Sequence, residues 1–512
     1  MRSIEATNAP PRKPLRSGAP GAGLRVFLLG AVGAAGSCCV LFGVLRPGSP
    51  FVAVGSSSWF WTSPGVPAGH QESSAQFLGI MLVYLGIALL LAAWFEAIRA
   101  ARTGSLVQLR HLRLVLLAWA VPILFAPPLF SRDVYSYAAQ GQMVSKGIDP
   151  YLHGPSVLGT GPFLTLVDPL WRHATAPYGP AWERLSGWVV QLSGHRVVWA
   201  VVGFRLVAAA GLAVLAWGVP ALADAAGRNS AVAFTVGVLN PLVLLILLGG
   251  SHNDVTMLGL LVLACVTAAR RHALSGLVCC ALAAEVKAPA LVAAVVIGWG
   301  WWGAGQGLRR RLAKTLLALC FTVAVMAAIG VILGMSWRWV GALFGAGTVV
   351  SWLDPVTAAG LAVEHVAHAA GYQGASGAFI ESARVIGLGI AAVISVLLLI
   401  RPRHREPVQA LGWSLFAFVL LGPVVWPWYE AWAFVFLAVI AEGRTLRLVA
   451  VLSAAACFAD MPSPRLLISA PAPDVVIGWA VLGALVLAYV ASRRPWSRTV
   501  RHAETAEGVG RA

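Results

Sequence analysis

The stretch Leu112-Arg113-Leu114-Val115-Leu116-Leu117-Ala118-Trp119-Ala120-Val121-Pro122-Ile123-Leu124-Phe125-Ala126-Pro127-Pro128-Leu129-Phe130, followed at once by Ser131-Arg132-Asp133-Val134-Tyr135-Ser136-Tyr137-Ala138-Ala139-Gln140-Gly141, decides how this chain is read. The first part is apolar over about the length a helix needs to cross a bilayer. The second part puts a carboxylate at the membrane surface. An acid beside hydrocarbon is costly, so Asp133 is either kept for function or is solvated at a helix end. Tyr135, Tyr137 and Gln140 follow it and can offer ring faces and hydrogen bonds to a sugar.

Working outward, 59% of the 512 residues are hydrophobic and 11% are charged, with a mean hydropathy of +0.79. That balance excludes a soluble domain and predicts an all-α polytopic membrane protein. Apolar runs of about spanning length lie at 24–45, 77–98, 112–130, 198–223, 231–249, 254–269, 312–334, 383–400, 408–426 and 474–491, with shorter tracts at 430–441 and 445–459. The tract 274–304 is too long for one ordinary span. The sequence thus predicts a bundle of about 12 transmembrane helices. Residues 1–23 and 496–512 are read as disordered cytoplasmic ends around a transmembrane domain at 24–495.

Lys and Arg in short loops stay on the cytoplasmic side. An inside N-terminus collects Arg99, Arg102, Arg110, Arg113, Arg270 and Arg271 there; Arg309, Arg310, Arg311 and Lys314 agree only if 274–304 enters and returns. That makes it two half-helices broken around Lys287-Ala288-Pro289. The net charge of +17 is then mostly topology, so nucleic acid is not an expected partner. The bilayer is; oligomeric state is not legible. The seven cysteines all lie in apolar tracts and none has zinc-ligand spacing with histidines, so neither disulfides nor a metal site are expected.

Two segments fall on the outer side, 131–197 and 335–382. The first carries Asp133, Asp149, Asp168, Arg172, His173, Tyr178 and Glu183, and is punctuated by Asp149-Pro150, Asp168-Pro169 and Pro177-Tyr178-Gly179-Pro180. Short surface helices joined by turns should result. The second carries Trp337, Trp339, Trp352, Asp354 and Glu364. Carriers place their polar groups near mid-membrane; here they gather outside, which favours an enzyme acting on a lipid-borne substrate.

Asp133-Val134-Tyr135-Ser136-Tyr137, Gln140-Gly141 and Gly147-Ile148-Asp149-Pro150-Tyr151 resemble the outer loop of the actinobacterial polyprenol-phosphate-mannose-dependent α-(1→6)-mannopyranosyltransferases, members of the GT-C membrane glycosyltransferases. The likeness continues, in order, through Tyr178-Gly179-Pro180, Asn240-Pro241, Gly249-Gly250-Ser251-His252-Asn253-Asp254, Ala284-Glu285-Val286-Lys287-Ala288-Pro289 and Trp426-Pro427-Trp428-Tyr429. The resemblance implies a GT-C-like bundle with external juxtamembrane helices over a lipid-facing cleft. It implies transfer of mannose from polyprenyl-phosphate mannose to an α-(1→6)-mannan acceptor of lipomannan, on the external face and with inversion. The lipid-linked donor leaves no other cofactor expected. Asp133 would be the base on the acceptor hydroxyl. GT-C enzymes generally carry this acid after their first helix, so 24–110 is read as an N-terminal two-helix addition.

The remaining candidates for donor and acceptor contact are Tyr135, Tyr137, Gln140, Asp149, Tyr178, His252, Asn253, Asp254, Lys287, Trp428 and Tyr429. Each also has a structural reading. Asp133 suits a helix N-terminus, Asp149 a turn before proline, and Ser251-His252-Asn253-Asp254 an N-cap. Lys287 would stabilise a leaving phosphate or simply pair with Glu285. Trp426, Trp428 and Tyr429 fit an interfacial belt, Glu430 is a candidate partner for the acceptor, and Arg172, His173 and Arg338 are weaker phosphate candidates. A related arabinosyl transferase, a lipid-linked sugar flippase and a non-catalytic membrane partner are the alternative functions.

Overall fold

The computed structural model describes residues 22–459, apart from short internal stretches at 47–48, 50, 52–72, 104–107, 346–348, 351–353, 373, 375–376 and 401–405. The expected apolar run 474–491, both chain ends and Trp352 lie outside the described residues. Those described form helices without strands: α1 (Ala22–Val44), α2 (Ser73–Arg102), α3 (Leu109–Leu124), α4 (Asp133–Ser145), the single turn α5 (Pro162–Thr165), α6 (Pro180–Leu192), α7 (Val197–Ala225), α8 (Ser230–Gly237) and α9 (Asp254–Ala269). They continue through α10 (Ala273–Val286), α11 (Val292–Val296), α12 (Leu308–Ile332), α13 (Trp339–Gly345), α14 (Pro355–Ala369), α15 (Ala378–Ile400), α16 (Pro407–Leu420), α17 (Glu430–Val439) and α18 (Gly443–Ala459).

Among the described residues, five helices are long and apolar enough to cross a membrane: α1, α2, α7, α12 and α15. The protein is thus a multi-pass membrane protein, with five full-length spans among the described residues where the sequence suggests about 12 over the whole chain. Several expected spans are shorter or broken for local reasons. The run 112–130 stops being helical at Leu124, because Pro127-Pro128 cannot continue a helix and push the residue before them to extended backbone. The run 231–249 divides at Asn240-Pro241 into α8 and a π-helical turn, Val243–Leu248. From Val232 onward these pieces are enclosed by other helices, and Leu244 through Leu248 have no exposed surface. They are core segments that protein, not lipid, surrounds.

Close approach of small residues holds the pairs together, as expected where apolar burial alone cannot drive helix association. A Cβ on Gly36 would meet Gly86 O at 2.7 Å, and one on Gly43 would meet Gly79 O at 2.7 Å, so two glycines per helix let α1 and α2 touch backbone to backbone. The pair is tied to the bundle by indole donors, Trp119 Nε1 to Leu29 O at 3.0 Å and Trp94 Nε1 to Thr235 O at 2.7 Å. At the periphery, α12 and α15 keep Leu316, Val331, Ile332, Val385, Ile386 and Val393 exposed, the face a lipid-contacting helix presents.

The tract 274–304 is broken where the sequence indicates. Helix α10 ends at Val286, Lys287 is extended (φ −158°), a 3-10 turn spans Ala288–Leu291, and α11 leads into a π-helical turn, Ile297–Trp302. The second half folds back along α10: Ala290 O accepts from Cys280 Sγ at 3.4 Å, ten residues earlier. Over the bundle, 131–197 forms α4, short turns and α6. The helices α4 and α6 pack where Gly141 faces Ser186 O and Gly187 faces Val144.

Candidate active site

Three turns converge at the mouth of the bundle. The first leads from α3 into α4: Phe130 has φ +62°, Arg132 is the N-cap, and Asp133 is the first helical residue. Its amide donates to Ser131 Oγ at 3.2 Å. The second joins the π-helical turn to α9, and Ser251 has φ +54° there. Two non-glycine residues in left-handed backbone beside one site are held by their surroundings. Leu129 N donates to Gly249 O at 3.0 Å, which stitches the two turns together. The third is the break at Lys287.

Arg205, in the middle of α7, is the bracket for the first two. Its Nε donates to Ser251 Oγ at 2.6 Å, one Nη to Ile123 O at 2.8 Å and Ala126 O at 2.9 Å, and the other to Gly249 O at 2.7 Å. The cation thus caps the carbonyl end of α3 and fixes the Gly249–Ser251 turn in one step. Arg205 is not among the candidates read from the sequence. The signal was there: an arginine inside an apolar span, Phe204-Arg205-Leu206, is a functional candidate by default.

Within these turns Asp133, His252, Asp254 and Lys287 form one electrostatic cluster. His252 Nδ1 lies 3.5 Å from Asp133 Oδ2 and 3.9 Å from Asp254 Oδ2. Lys287 Nζ donates to both Asp254 oxygens, at 2.8 and 3.0 Å, and Trp432 Nε1 donates to Oδ1 at 2.6 Å. The ammonium also sits 4.6 Å from the Tyr429 ring centre and 5.3 Å from that of Trp432. Lys287 therefore pairs with Asp254, not Glu285. The extended backbone at Lys287 turns its side chain away from the helix face that carries Glu285. Glu285 instead accepts from Ala181 N at 2.9 Å.

The two acids differ in kind. The Asp254 side chain is fully buried and three donor contacts satisfy it, whereas that of Asp133 keeps 18% of its surface exposed. Burial is the largest influence on the Asp133 carboxyl and raises it to about 6; Asp254 and Asp168 push the same way, opposed by Lys287 and the Ser131 hydrogen bond. Asp133 is thus reachable, mostly ionised at neutral pH, and a stronger base than an ordinary carboxylate.

Aromatic groups line the same place. Tyr137 OH donates to Asn253 Oδ1 at 3.3 Å, and Tyr178 packs edge-on to Tyr137 at 5.5 Å while feeling the charges of Asp133 and Asp254. Asn253 stands at the N-cap position of α9 as the sequence suggests, but its side chain makes no cap bond and accepts from Tyr137 instead. Trp428 lies tilted against His252 at 4.5 Å and stacks on Trp426 at 4.9 Å, and both indoles are buried. Buried rings beneath a histidine are not an interfacial belt.

Other candidates fall outside the cluster. Tyr135 is buried beside Arg205 and Arg132. Gln140 lies one turn below Tyr137 with its carbonyl buried and unbonded. Asp149 makes the turn that its proline suggests, accepting from Tyr151 N at 2.8 Å, and meets Arg338 of the segment 335–382 at 3.5 Å. Arg172 donates to Val167 O and Thr165 O, so it braces its own loop. Among the described residues, no group of three or more His, Cys, Asp and Glu is arranged to hold a metal ion.

A family model described as "Alpha-(1->6)-mannopyranosyltransferase, N-terminal domain" matches residues 30–303, the part that holds Asp133, His252, Asp254 and Lys287. The chain belongs to the alpha-(1->6)-mannopyranosyltransferase family. A second model, "MptB C-terminal domain", matches 356–493 and so takes in Trp428 and Tyr429. Among relatives, "Alpha-(1->6)-mannopyranosyltransferase A" of Mycobacterium tuberculosis is 32% identical over 461 residues, covering 86% of this chain and 83% of its own. "Alpha-(1->6)-mannopyranosyltransferase B" of Corynebacterium glutamicum is 30% identical over 449 residues, covering 81% and 73% respectively. The protein is thus a glycosyltransferase of the mannosyl class. The match from residue 30 includes most of α1 and all of α2, so the family model extends over most of the segment read from sequence as an addition.

Proposed function

We propose that the protein transfers mannose from a polyprenyl-phosphate mannose to the 6-hydroxyl of an α-(1→6)-mannan acceptor, at the external membrane face and with inversion. The observation that carries this reading is the contrast between the two acids, Asp133 partly exposed with a raised carboxyl and Asp254 locked to Lys287. In a single displacement Asp133 takes the acceptor proton as the new C1–oxygen bond forms, while the C1–phosphate bond breaks on the opposite face and its electrons leave with the lipid phosphate. Lys287 has three N–H groups, two of them given to Asp254. The third is available to the leaving oxygen, where charge develops. Tyr178 and Tyr429, both partly exposed, give the sugar walls that are apolar on their faces and polar at their edges, backed by the buried Tyr137 and Trp428.

Purified protein incubated with synthetic polyprenyl-phosphate β-mannose and a short α-(1→6)-mannoside should extend the mannoside by an α-linked residue, read by NMR of the product. A β-linked product would exclude the single displacement. Equal or better use of polyprenyl-phosphate arabinose would exclude the mannosyl assignment. Transbilayer movement of the donor without transfer would make the protein a flippase.

A further inference from the structure

Glu285 is placed where a carboxylate is unfavourable by itself. It sits in the last turn of α10, at the negative end of the helix dipole, with no exposed surface. The same carboxylate lies at the positive end of another helix. Helix α6 begins with Gly179, which has no side chain to cap it, and Pro180, which has no N–H. Its first free donor is Ala181 N, and Glu285 Oε2 accepts from it at 2.9 Å. Gly179 N in turn donates to Glu285 O at 2.8 Å. The fit leaves no slack: a Cβ on Gly179 would lie 2.7 Å from Glu285 Cα, O and Oε2.

On either side of this latch stand residues of the site. Tyr178 directly precedes Gly179 and packs on Tyr137 beside Asp133. Lys287 follows Glu285 by two residues and holds Asp254. We propose that Glu285 is a positioning residue for transfer: by capping α6 from the neighbouring helix it locks the loop that carries Tyr178 to the broken hairpin that carries Lys287. The role depends on an acceptor oxygen at the right reach, not on charge. It rests on the transferase reading above.

Three variants separate reach from charge: Glu285→Gln, which keeps an oxygen at the same distance, Glu285→Asp, which keeps the charge but draws it back by one methylene, and Glu285→Ala. Folded protein, checked by fluorescence-detected size exclusion, is assayed for mannosyl transfer. Glu285→Gln should stay within about threefold of wild type, while Glu285→Asp and Glu285→Ala should lose about 10- to 100-fold in kcat with donor KM changed far less, the scale of an ångström-level misplacement. Amide exchange over 178–184 reads the latch without substrate; it should quicken at Ala181 by about tenfold or more in the Asp and Ala variants, and not in Glu285→Gln. Should Glu285→Ala not fold, Glu285→Asp against Glu285→Gln decides alone. The reverse order, with Glu285→Asp active and Glu285→Gln impaired, would overturn the proposal, as would unchanged exchange in both truncated variants. Wild-type protein that transfers no mannose but shows the expected exchange pattern would remove the substrate assignment and keep the latch.

Discussion

Replacing Lys287 by methionine tests the centre of the site, because methionine keeps an unbranched side chain only one atom shorter and carries no charge. The change removes the two contacts at 2.8 and 3.0 Å to Asp254 and leaves that fully buried acid with Trp432 Nε1 as its remaining donor. Two charged hydrogen bonds at about 1.5–3 kcal/mol each put the loss at about 3–6 kcal/mol, which agrees with the roughly 3–5 kcal/mol seen when one partner of a buried pair is removed. Loss of the ammonium's contact with the Tyr429 and Trp432 rings adds about 1–2 kcal/mol to that figure. Adding Asp254→Asn removes the stranded charge while its oxygen still accepts from Trp432. The double variant should therefore recover at least about 2 kcal/mol, whereas Lys287→Met with Glu285→Gln should recover nothing. Equilibrium unfolding in mixed micelles measures these differences as a double-mutant cycle. Rescue by Glu285→Gln and not by Asp254→Asn would refute the pairing. Transfer gives a separate reading: Lys287→Arg should retain part of the activity because charge survives without the point-like geometry. A Lys287→Met/Asp254→Asn variant that regains stability and full transfer would remove Lys287 from the phosphate role.

Asp133→Asn should fold and insert normally but lower turnover by about two to four orders of magnitude. In wild type, kcat/KM should be level above the Asp133 value of about 6 and fall about tenfold per pH unit below it, since the protonated acid cannot accept the hydroxyl proton; an acid limb near 4 would place the base elsewhere. Arg205→Leu leaves carbonyls of two turns and the Ser251 hydroxyl without their donor and should cost about 3 kcal/mol or more, with Arg205→Lys restoring only part; thermal unfolding at wild-type midpoint would show that the bracket is dispensable. Cysteines at 272 and 309, in a background without the seven native ones, should both be shielded from an impermeant thiol reagent outside the cell. Labelling at 309 alone would make 274–304 a complete crossing.

Composition and local pattern were enough for the class of protein. A chain with 59% hydrophobic residues must bury its backbone hydrogen bonds within helices, and the break at Lys287-Ala288-Pro289 was legible because proline denies the helix a donor and a charge denies it lipid. Proline likewise announced the turns of 131–197, and the order of short motifs announced the family. The number of spans was not legible to the same degree. An apolar run reads alike whether lipid or protein surrounds it, so 231–249 counts as a span until neighbouring helices are seen to enclose a broken segment. Pairing was beyond the sequence altogether. Glu285 and Lys287 stand two residues apart, yet one caps α6, 104 residues away, and the other binds Asp254, 33 residues away. Which acid is held and which remains free to act depends on three turns meeting around Arg205, and that meeting is decided by long-range packing, which no local spacing encodes.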